Sequence, residues 1–150
     1  MEYAELSDGD REVLQHAVDA AQRLYVQGIQ EVGAAVRTAT GRIFGGIHFE
    51  TSTGFATVCG EIAAICCMVA AGQRDLHTIA AVWRDPDGRS YLLPPCGRCR
   101  EVISDFNPAA WVIVSTSPNH WDAHAIDRPG KVRIGDLLPL KSHQLQAGPS

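Results

Sequence analysis

Two short segments of the sequence contain the residue types that bind a metal ion and transfer a proton. The first holds Cys59 and Glu61, and the second is the run Pro95-Cys96-Gly97-Arg98-Cys99. Three thiolates suit zinc, and zinc with three protein ligands keeps a fourth position open for water, whose pKa falls to about 7. A carboxylate beside that water can take its proton and pass it on. The sequence therefore predicts one zinc site, with Cys59, Cys96 and Cys99 as ligands and Glu61 as proton shuttle.

The charge of such a centre needs compensation. Zinc with three thiolates carries a net charge of about -1, which opposes the deprotonation of bound water. If Cys59, Cys96 and Cys99 lie at the N-termini of two helices, the positive ends of the helix dipoles face the sulfur atoms. Arg98 and Arg100 are further candidates for hydrogen-bonding a thiolate. We expect Arg98 to compensate charge at the zinc.

Two alternative interpretations concern the cysteines and histidines. A structural zinc would take a fourth protein ligand, which would make the chain a non-catalytic, zinc-stabilised binding module. Four histidines could supply that ligand: His48, His77, His120 and His124. Cys66 and Cys67 lie inside an apolar segment, and we interpret them as packing residues of a buried helix.

The elements that must position the site follow from hydrophobic spacing. Ser7 and Asp10 resemble a capping box that opens an amphipathic helix ending near Gly28. Short apolar runs separated by a turn predict a β-hairpin, with glycines marking close backbone approaches. The runs are 31–38 and 42–49, and the glycines are Gly33, Gly45 and Gly46.

The rest of the chain predicts two more helices between strands. The segment 59–71 is apolar all round and predicts a buried helix. The other predicted elements are a strand over 78–83, a helix over 97–106, a strand over 111–115, a loop over 117–130, a short strand and helical turn within 131–140, and a loose tail over 142–150. This order favours a single α/β domain over 1–150, with a mixed sheet covered on both faces.

Composition narrows the class of protein. Thirteen Lys and Arg against 17 Asp and Glu give a net charge of -4, which disfavours a nucleic-acid partner. No apolar run reaches the roughly 18 residues of a membrane span, and the acidic start differs from a signal peptide. Five cysteines, three of them in a metal pattern, agree with a reducing compartment. We therefore expect a cytoplasmic protein that acts on a small molecule.

The motifs resemble the cytidine deaminase family over nearly the whole chain. The matching segments are Val32-Gly33-Ala34-Ala35, Cys59-Gly60-Glu61, Pro95-Cys96-Gly97-Arg98-Cys99-Arg100 and Asp136-Leu137-Leu138-Pro139. The resemblance implies a three-layer α/β/α fold with a mixed five-stranded sheet. It also implies zinc-dependent deamination of cytidine and deoxycytidine to the uridines, with release of ammonia. A homotetramer with active sites at subunit interfaces is implied as well.

The departures from the family pattern concern the substrate. Where the family has Asn-x-Glu to bind the ribose 3'-hydroxyl, this chain has His48-Phe49-Glu50. The aromatic residue that stacks on the base is replaced, and Phe49 or Phe55 is a candidate substitute. Gly60, which replaces the alanine of the family's Cys-Ala-Glu, is a further candidate to contact the substrate.

Blasticidin S deaminase, a relative in this family, is similar in two respects. It lacks the arginine that many bacterial members place after the glutamate, where Ile62 stands here, and it has the same Pro-Cys-Gly-Arg-Cys-Arg motif. The resemblance thus leaves blasticidin S, or another aminopyrimidine or related heterocycle, as the alternative substrate.

Overall fold

The computed structural model describes residues 1–119, 121–122 and 124–145. The helices are α1 (Asp8–Arg23), α2 (Gly60–Ala70), α3 (Gly97–Phe106) and α4 (Ile134–Leu137), with 3-10 turns at Gly54–Ala56 and Ala125–Asp127. The strands are β1 (Val32–Thr38), β2 (Ile43–Ile47), β3 (Leu76–Arg84), β4 (Ser90–Leu93), β5 (Trp111–Ser115) and β6 (Pro129–Arg133). No helix among these residues is long and apolar enough to cross a membrane.

The strands form one mixed sheet in the order β2-β1-β3-β5-β6, with β4 paired to β3. On the same edge of β3, Thr78 and Ile79 pair with β5 in parallel and Ala81–Arg84 pair with β4 in antiparallel register. The expected mixed sheet is confirmed, but β4 adds a sixth strand to the five in the main order. Sequence reasoning missed β4 because its four residues lead directly into Pro94 and Pro95.

Helices cover both faces of this sheet, which confirms the three-layer α/β/α arrangement. One buried cluster joins α1 to Ala35, Ala80 and Val82, and a second joins α2 and α3 to Ala34 and Ala81. Neighbouring positions of a strand point to opposite faces, so each central strand contributes to both clusters.

Two of the three glycines predicted to mark close backbone approaches do so. A Cβ on Gly33 would lie 2.3 Å from the amide nitrogen of Ala21 in α1, and one on Gly46 would lie 2.2 Å from that of Ala64 in α2. Gly45 was expected to behave alike, but a Cβ there would meet only the Ala34 carbonyl, at 3.9 Å. That expectation was wrong because the side chain at position 45 points away from α2.

Helix boundaries confirm part of the sequence prediction. The capping box is present, since the Ser7 side chain accepts from the Asp10 backbone and the Asp10 side chain accepts from the Ser7 backbone. The helix ends at Arg23, however, five residues before Gly28. The predicted hairpin, α3, β5 and the final strand with its helical turn are all present. The loop predicted over 117–130 ends earlier than expected, because Pro129 already belongs to β6.

The outer side of α2 contradicts the expectation of burial all round. Cys66 and Cys67 are exposed, as is Val69 at 39%. Only the residues facing the sheet are covered within the chain, among them Ala64 and Met68. The interpretation of Cys66 and Cys67 as packing residues is therefore wrong for the protomer.

The last two described residues, Gln144 and Leu145, lie against α3. The backbone amide of Leu145 donates to Asp105 at 3.2 Å, and Gln144 hydrogen-bonds Ser104. The predicted loose tail thus makes contacts at 144 and 145, and its remaining residues, 146–150, lie outside the described part.

Candidate active site

The three predicted zinc ligands lie at the starts of two helices. Cys59 is the N-cap of α2, Cys96 is the N-cap of α3, and Cys99 lies in the first turn of α3. The Sγ atoms of Cys59 and Cys96 are 3.6 Å apart, as are those of Cys96 and Cys99, and all three lie within 4.8 Å of one another. Zinc–sulfur bonds of about 2.3 Å place tetrahedral thiolates roughly 3.8 Å apart. The donor set therefore fits zinc.

The expected helix N-termini are confirmed at the sulfur atoms. Cys59 and Cys96 have extended backbones, with ψ angles of 148° and 167°, and neither side chain caps its helix by a hydrogen bond. The first N–H groups of α2 and α3 thus lack a side-chain cap, and they lie at the positive ends of the helix dipoles. Both helices favour negative charge on the three sulfurs.

Arg98 lies where charge compensation needs it, and Arg100 does not. The Arg98 Nη2 atom is 3.1 Å from Cys59 Sγ and donates to the Thr57 carbonyl at 2.8 Å. Arg100 instead donates to the carbonyl oxygens of Pro95 and Leu137. Arg100 therefore fixes the segments around α3 rather than a thiolate.

Glu61 is the buried carboxyl group of the site. It lies in the first turn of α2 and is 6% exposed. Burial raises the pKa of Glu61, and the neighbouring Cys99 and Arg98 offset this only in part. Burial and the nearby negative groups also raise the pKa of the Cys99 thiol well above its ordinary value.

A pocket of about 150 Å³ opens at Glu61. Its lining combines the predicted site residues with apolar residues from β1, β3 and the end of β4. These residues are Val32, His48, Cys59, Gly60, Glu61, Ala81, Leu93, Pro94 and Cys96. Metal-binding sulfurs, a buried carboxyl and flat apolar walls thus share one cavity.

His48 and Glu50 are joined at the edge of this pocket. His48 Nε2 lies 2.9 Å from Glu50 Oε1, and the Thr57 hydroxyl donates to Glu50 Oε2 at 2.8 Å. The other ring nitrogen, Nδ1, accepts from the Glu31 backbone amide at 3.3 Å. These hydrogen bonds, from His48 foremost, lower the pKa of Glu50 and keep it a carboxylate.

The two candidate stacking residues lie apart from this pocket. Within the described residues, neither Phe49 nor Phe55 belongs to its lining. Phe49 is 40% exposed, and Phe55, at 87%, borders a separate surface groove beside Arg98 and Val102. The aromatic residues near the pocket face belong to β3 and β4, where Trp83 follows Ala81 and pairs with Tyr91.

None of the candidate fourth ligands in the described residues belongs to the group of three cysteines. His77 Nδ1 contacts the hydroxyl of Thr78, and His124 contacts Asp127. His48 lines the pocket, but the described metal-ligand group contains only the three cysteines. His120 lies outside the described residues. In the described residues the group thus has three sulfur donors, the number of protein ligands that hydrolytic zinc sites have.

Sequence reasoning missed the residues that support His48 and form the pocket walls. Leu93 and Pro94 carry no metal-binding or catalytic chemistry, Glu31 contacts His48 only through its backbone amide, and Thr57 acts through Glu50. Their place depends on strand register, since Val32 lies opposite Trp83 and Ala81 opposite Leu93. The hairpin predicted over 31–38 and 42–49 was the sequence signal that placed the start of β1 near the site.

Comparison with known proteins gives consistent matches. Residues 7–115 match the family model described as the cytidine and deoxycytidylate deaminase zinc-binding region. The blasticidin-S deaminase of Bacillus cereus is 37% identical over 140 residues, covering 91% of this chain and 94% of that protein. The cytidine deaminase of Mycobacterium tuberculosis is 32% identical over 126 residues, covering 83% and 82%.

Solved structures agree in fold. The crystal structure of cytidine deaminase from Mycobacterium tuberculosis has a TM-score of 0.67 at 30% identity and covers 89% of this chain and 96% of that chain. That from Burkholderia pseudomallei also has a TM-score of 0.67, at 26% identity, and covers 89% and 98%. The family model spans most of the chain, and its zinc-binding description fits the cysteine group at the pocket. The chain therefore belongs to the cytidine and deoxycytidylate deaminase family and is a zinc-dependent hydrolytic deaminase.

Proposed function

We propose that this chain deaminates the cytosine ring of cytidine and deoxycytidine, forming the corresponding uridines and ammonia. The observation that carries the proposal is the buried Glu61 carboxyl in one pocket with Cys59 and Cys96. These two belong to a group of three cysteine sulfurs that includes no fourth protein ligand in the described residues. A purely structural zinc would need that ligand and would have no use for a buried carboxyl beside it. The geometry thus favours catalysis over a binding module.

Cys59, Cys96 and Cys99 would hold the zinc, and Glu61 would handle the protons. When bound, zinc lowers the pKa of a coordinated water to about 7. Glu61 accepts the proton of the attacking water and delivers it to the ring nitrogen. It then takes the remaining proton of the hydroxyl that has been added to the ring carbon and transfers it to the amino group. The C–N bond breaks to release ammonia as that hydroxyl becomes the carbonyl of the uridine. Arg98 and the two helix N-termini offset the thiolate charge throughout.

The apolar walls suit a flat heterocycle. Val32, Ala81, Leu93 and Pro94 supply apolar side chains to the lining of the pocket. These residues exclude water from the faces of a bound ring and leave Gly60 and Glu61 to meet its polar edge. A small molecule fits this cavity and the net charge of -4 better than a nucleic acid.

We also propose that the chain forms a homotetramer with active sites at subunit interfaces, as the family resemblance implies. The exposed apolar face of α2, with Cys66, Cys67 and Val69, supports this, as does the exposed ring of Phe55.

The five free cysteines support a reducing compartment such as the cytoplasm.

Blasticidin S is the second candidate substrate. The 37% identity to a blasticidin-S deaminase covers more of both chains than the 32% identity to a cytidine deaminase. His48, in place of the asparagine expected at a ribose site, agrees with a sugar-binding edge that differs from that of other family members.

The test is ammonia release from cytidine, deoxycytidine and blasticidin S, each added to zinc-loaded protein. We expect release from cytidine and deoxycytidine. Cys96→Ser should abolish zinc binding and release, whereas Cys66→Ser, the matched change outside the zinc group, should preserve both. Release from blasticidin S alone would favour the second candidate. No release from any of the three, by protein that still holds zinc, would overturn the proposal.

A further inference from the structure

We propose that His48 is a positioning residue for Glu50 that offers no hydrogen-bonding atom to the substrate, so that the site accepts cytosine joined to sugars with or without ring hydroxyls. This inference rests on the proposed function and concerns the edge of the same pocket. It names a substrate class that is broader than cytidine and deoxycytidine.

The substrate's sugar must lie at this edge. The reacting carbon of cytosine and the nitrogen that carries the sugar are on opposite sides of the ring. When the first lies at Glu61, which is 6% exposed, the second points toward the pocket mouth. His48 lines that pocket, and its partner Glu50 has a side chain that is 49% exposed.

Both ring nitrogens of His48 are already used. A backbone N–H can only donate, so the bond from Glu31 N makes Nδ1 an acceptor without a proton. The ring proton is then on Nε2, which donates to Glu50 Oε1 at 2.9 Å. Both ring nitrogens therefore have a partner within the chain, and the imidazole presents no free donor or acceptor to a ligand.

Glu31 is itself fixed, which secures this arrangement. Its Oε1 accepts from the Gly28 amide at 2.7 Å, and its Oε2 accepts from Trp83 Nε1 at 3.1 Å. Because both oxygens of the Glu31 carboxylate are bound, the residue is fixed, and its backbone amide holds the His48 ring in place.

Glu50 is satisfied as well. Oε1 accepts from His48 and Oε2 accepts from the Thr57 hydroxyl, so each carboxylate oxygen already has a donor within the chain. Enzymes that reject a substrate analogue lacking a hydroxyl, by factors of about 10⁴–10⁵, do so because buried polar groups are left unpaired. No such group is left here when a sugar hydroxyl is missing, so the discrimination should be small.

The experiment compares kcat/KM for cytidine and 2',3'-dideoxycytidine on the zinc-loaded enzyme. We expect a ratio below about tenfold, the effect of about one solvent-exposed hydrogen bond. A ratio above that value would overturn the inference. The ratio is informative because general damage to the site lowers both values together.

His48→Asn tests the role of the histidine. Asparagine is too short to contact both Glu31 N and Glu50, so an amide and one carboxylate oxygen become unpaired toward the pocket. We expect the ratio of kcat/KM for the two nucleosides to rise about tenfold or more. The matched control is His16→Asn, because His16 is exposed on α1 and contacts only its own helix at Glu12. An unchanged ratio in His48→Asn would count against the proposal.

Failure of the proposed function can be told apart from failure of this inference. If neither nucleoside releases ammonia, the dissociation constants of both are measured by calorimetry on the same zinc-loaded protein. Constants within about tenfold would support the inference while the proposed reaction fails. Absence of binding by either nucleoside, or a larger difference, would overturn it.

Discussion

Gly60, between Cys59 and Glu61, allows close contact of α2 with β1. A Cβ at this position would lie 2.7 Å from the Val32 carbonyl oxygen, whereas one on Gly97, the corresponding first residue of α3, would meet nothing within 4 Å. We predict that Gly60→Ala lowers the free energy of unfolding by about 1–3 kcal/mol, as overpacking does. Gly97→Ala should leave it unchanged or slightly higher. Urea unfolding of the zinc-loaded variants measures both, and equal stability of the two variants would contradict the close contact.

Arg98 should matter to the metal rather than to the fold. Its guanidinium contacts Cys59 Sγ and the Thr57 carbonyl, and loss of such a partner lowers metal affinity by about 10–100-fold. We predict a fall of this size in zinc affinity for Arg98→Ala, measured by competition with a chelator. Arg89→Ala, which removes a guanidinium that is 62% exposed, is the control. The role assigned to Arg98 is wrong if zinc affinity and turnover both stay at wild-type values.

At the residue scale, the sequence predicted the group of three cysteines and did not predict the contacts at the substrate edge. Cys59, Cys96 and Cys99 could be found because zinc ligands have recognisable types and spacing. The partners of His48 could not, since one is a backbone amide at Glu31 and the contact depends on how the hairpin returns to the sheet.

At the element scale, α1 is tied to three strands through the buried carboxylate of Asp10. Lys131 Nζ lies 2.6 Å from Oδ2, and Arg37 and Thr78 contact Oδ1 at 3.3 and 3.1 Å. Burial alone would raise the pKa of Asp10, but the hydrogen bonds from Lys131, Ser7 and Thr78 outweigh it and hold the pKa well below its usual range.

This network predicts a specific acid sensitivity. A carboxyl whose pKa is lowered on folding stabilises the native state above its unfolded pKa, about 3.9, and this stabilisation is lost as the pH falls below that value. We predict that Asp10→Asn lowers the free energy of unfolding by about 3–5 kcal/mol near neutral pH, because Arg37 and Lys131 lose their carboxylate partner. It should also flatten the loss of stability below about pH 4. Thermal unfolding across pH measures this, with exposed Asp19→Asn as control. A parallel pH profile for Asp10→Asn and wild type would refute the linkage.

The elements themselves were mostly predictable because their signals are local. Capping at Ser7, the turn between β1 and β2 and the apolar runs of β3 and β5 all lie within short windows. The ion pairs of Asp10 with Arg37 and Lys131 and its hydrogen bond from Thr78 were not predictable, since these residues lie 27, 121 and 68 residues away. The sixth strand, β4, was missed because four residues before two prolines carry too little pattern.

At the scale of the whole molecule, the proposed homotetramer predicts an interface between copies on the exposed face of α2. We predict that Val69→Lys shifts the protein to smaller species and lowers deaminase activity, because a charge would be buried in an apolar contact. Light scattering after size exclusion measures the mass. Val26→Lys is the matched control, since Val26 is 44% exposed and Val69 is 39% exposed. Equal masses for the two variants would argue against an interface on α2.

The prediction that Cys66 and Cys67 are buried was wrong for a reason that also concerns contacts between copies. An apolar segment needs covering, but one sequence does not distinguish a cover supplied by the same chain from one supplied by another copy. The inner side of α2, with Ala64 and Met68, is covered by the sheet, and the outer side is not.

The proposed function depends above all on Glu61 moving protons at a zinc centre built from three cysteines. The most direct measurement is ammonia release from cytidine by wild type and Glu61→Gln, with the zinc content of both determined in the same samples. We predict about one zinc per chain in each protein and a fall in release of about 10²–10⁴-fold in the variant, as loss of a general acid–base group causes. Release at the wild-type rate from Glu61→Gln with zinc bound would contradict the claim.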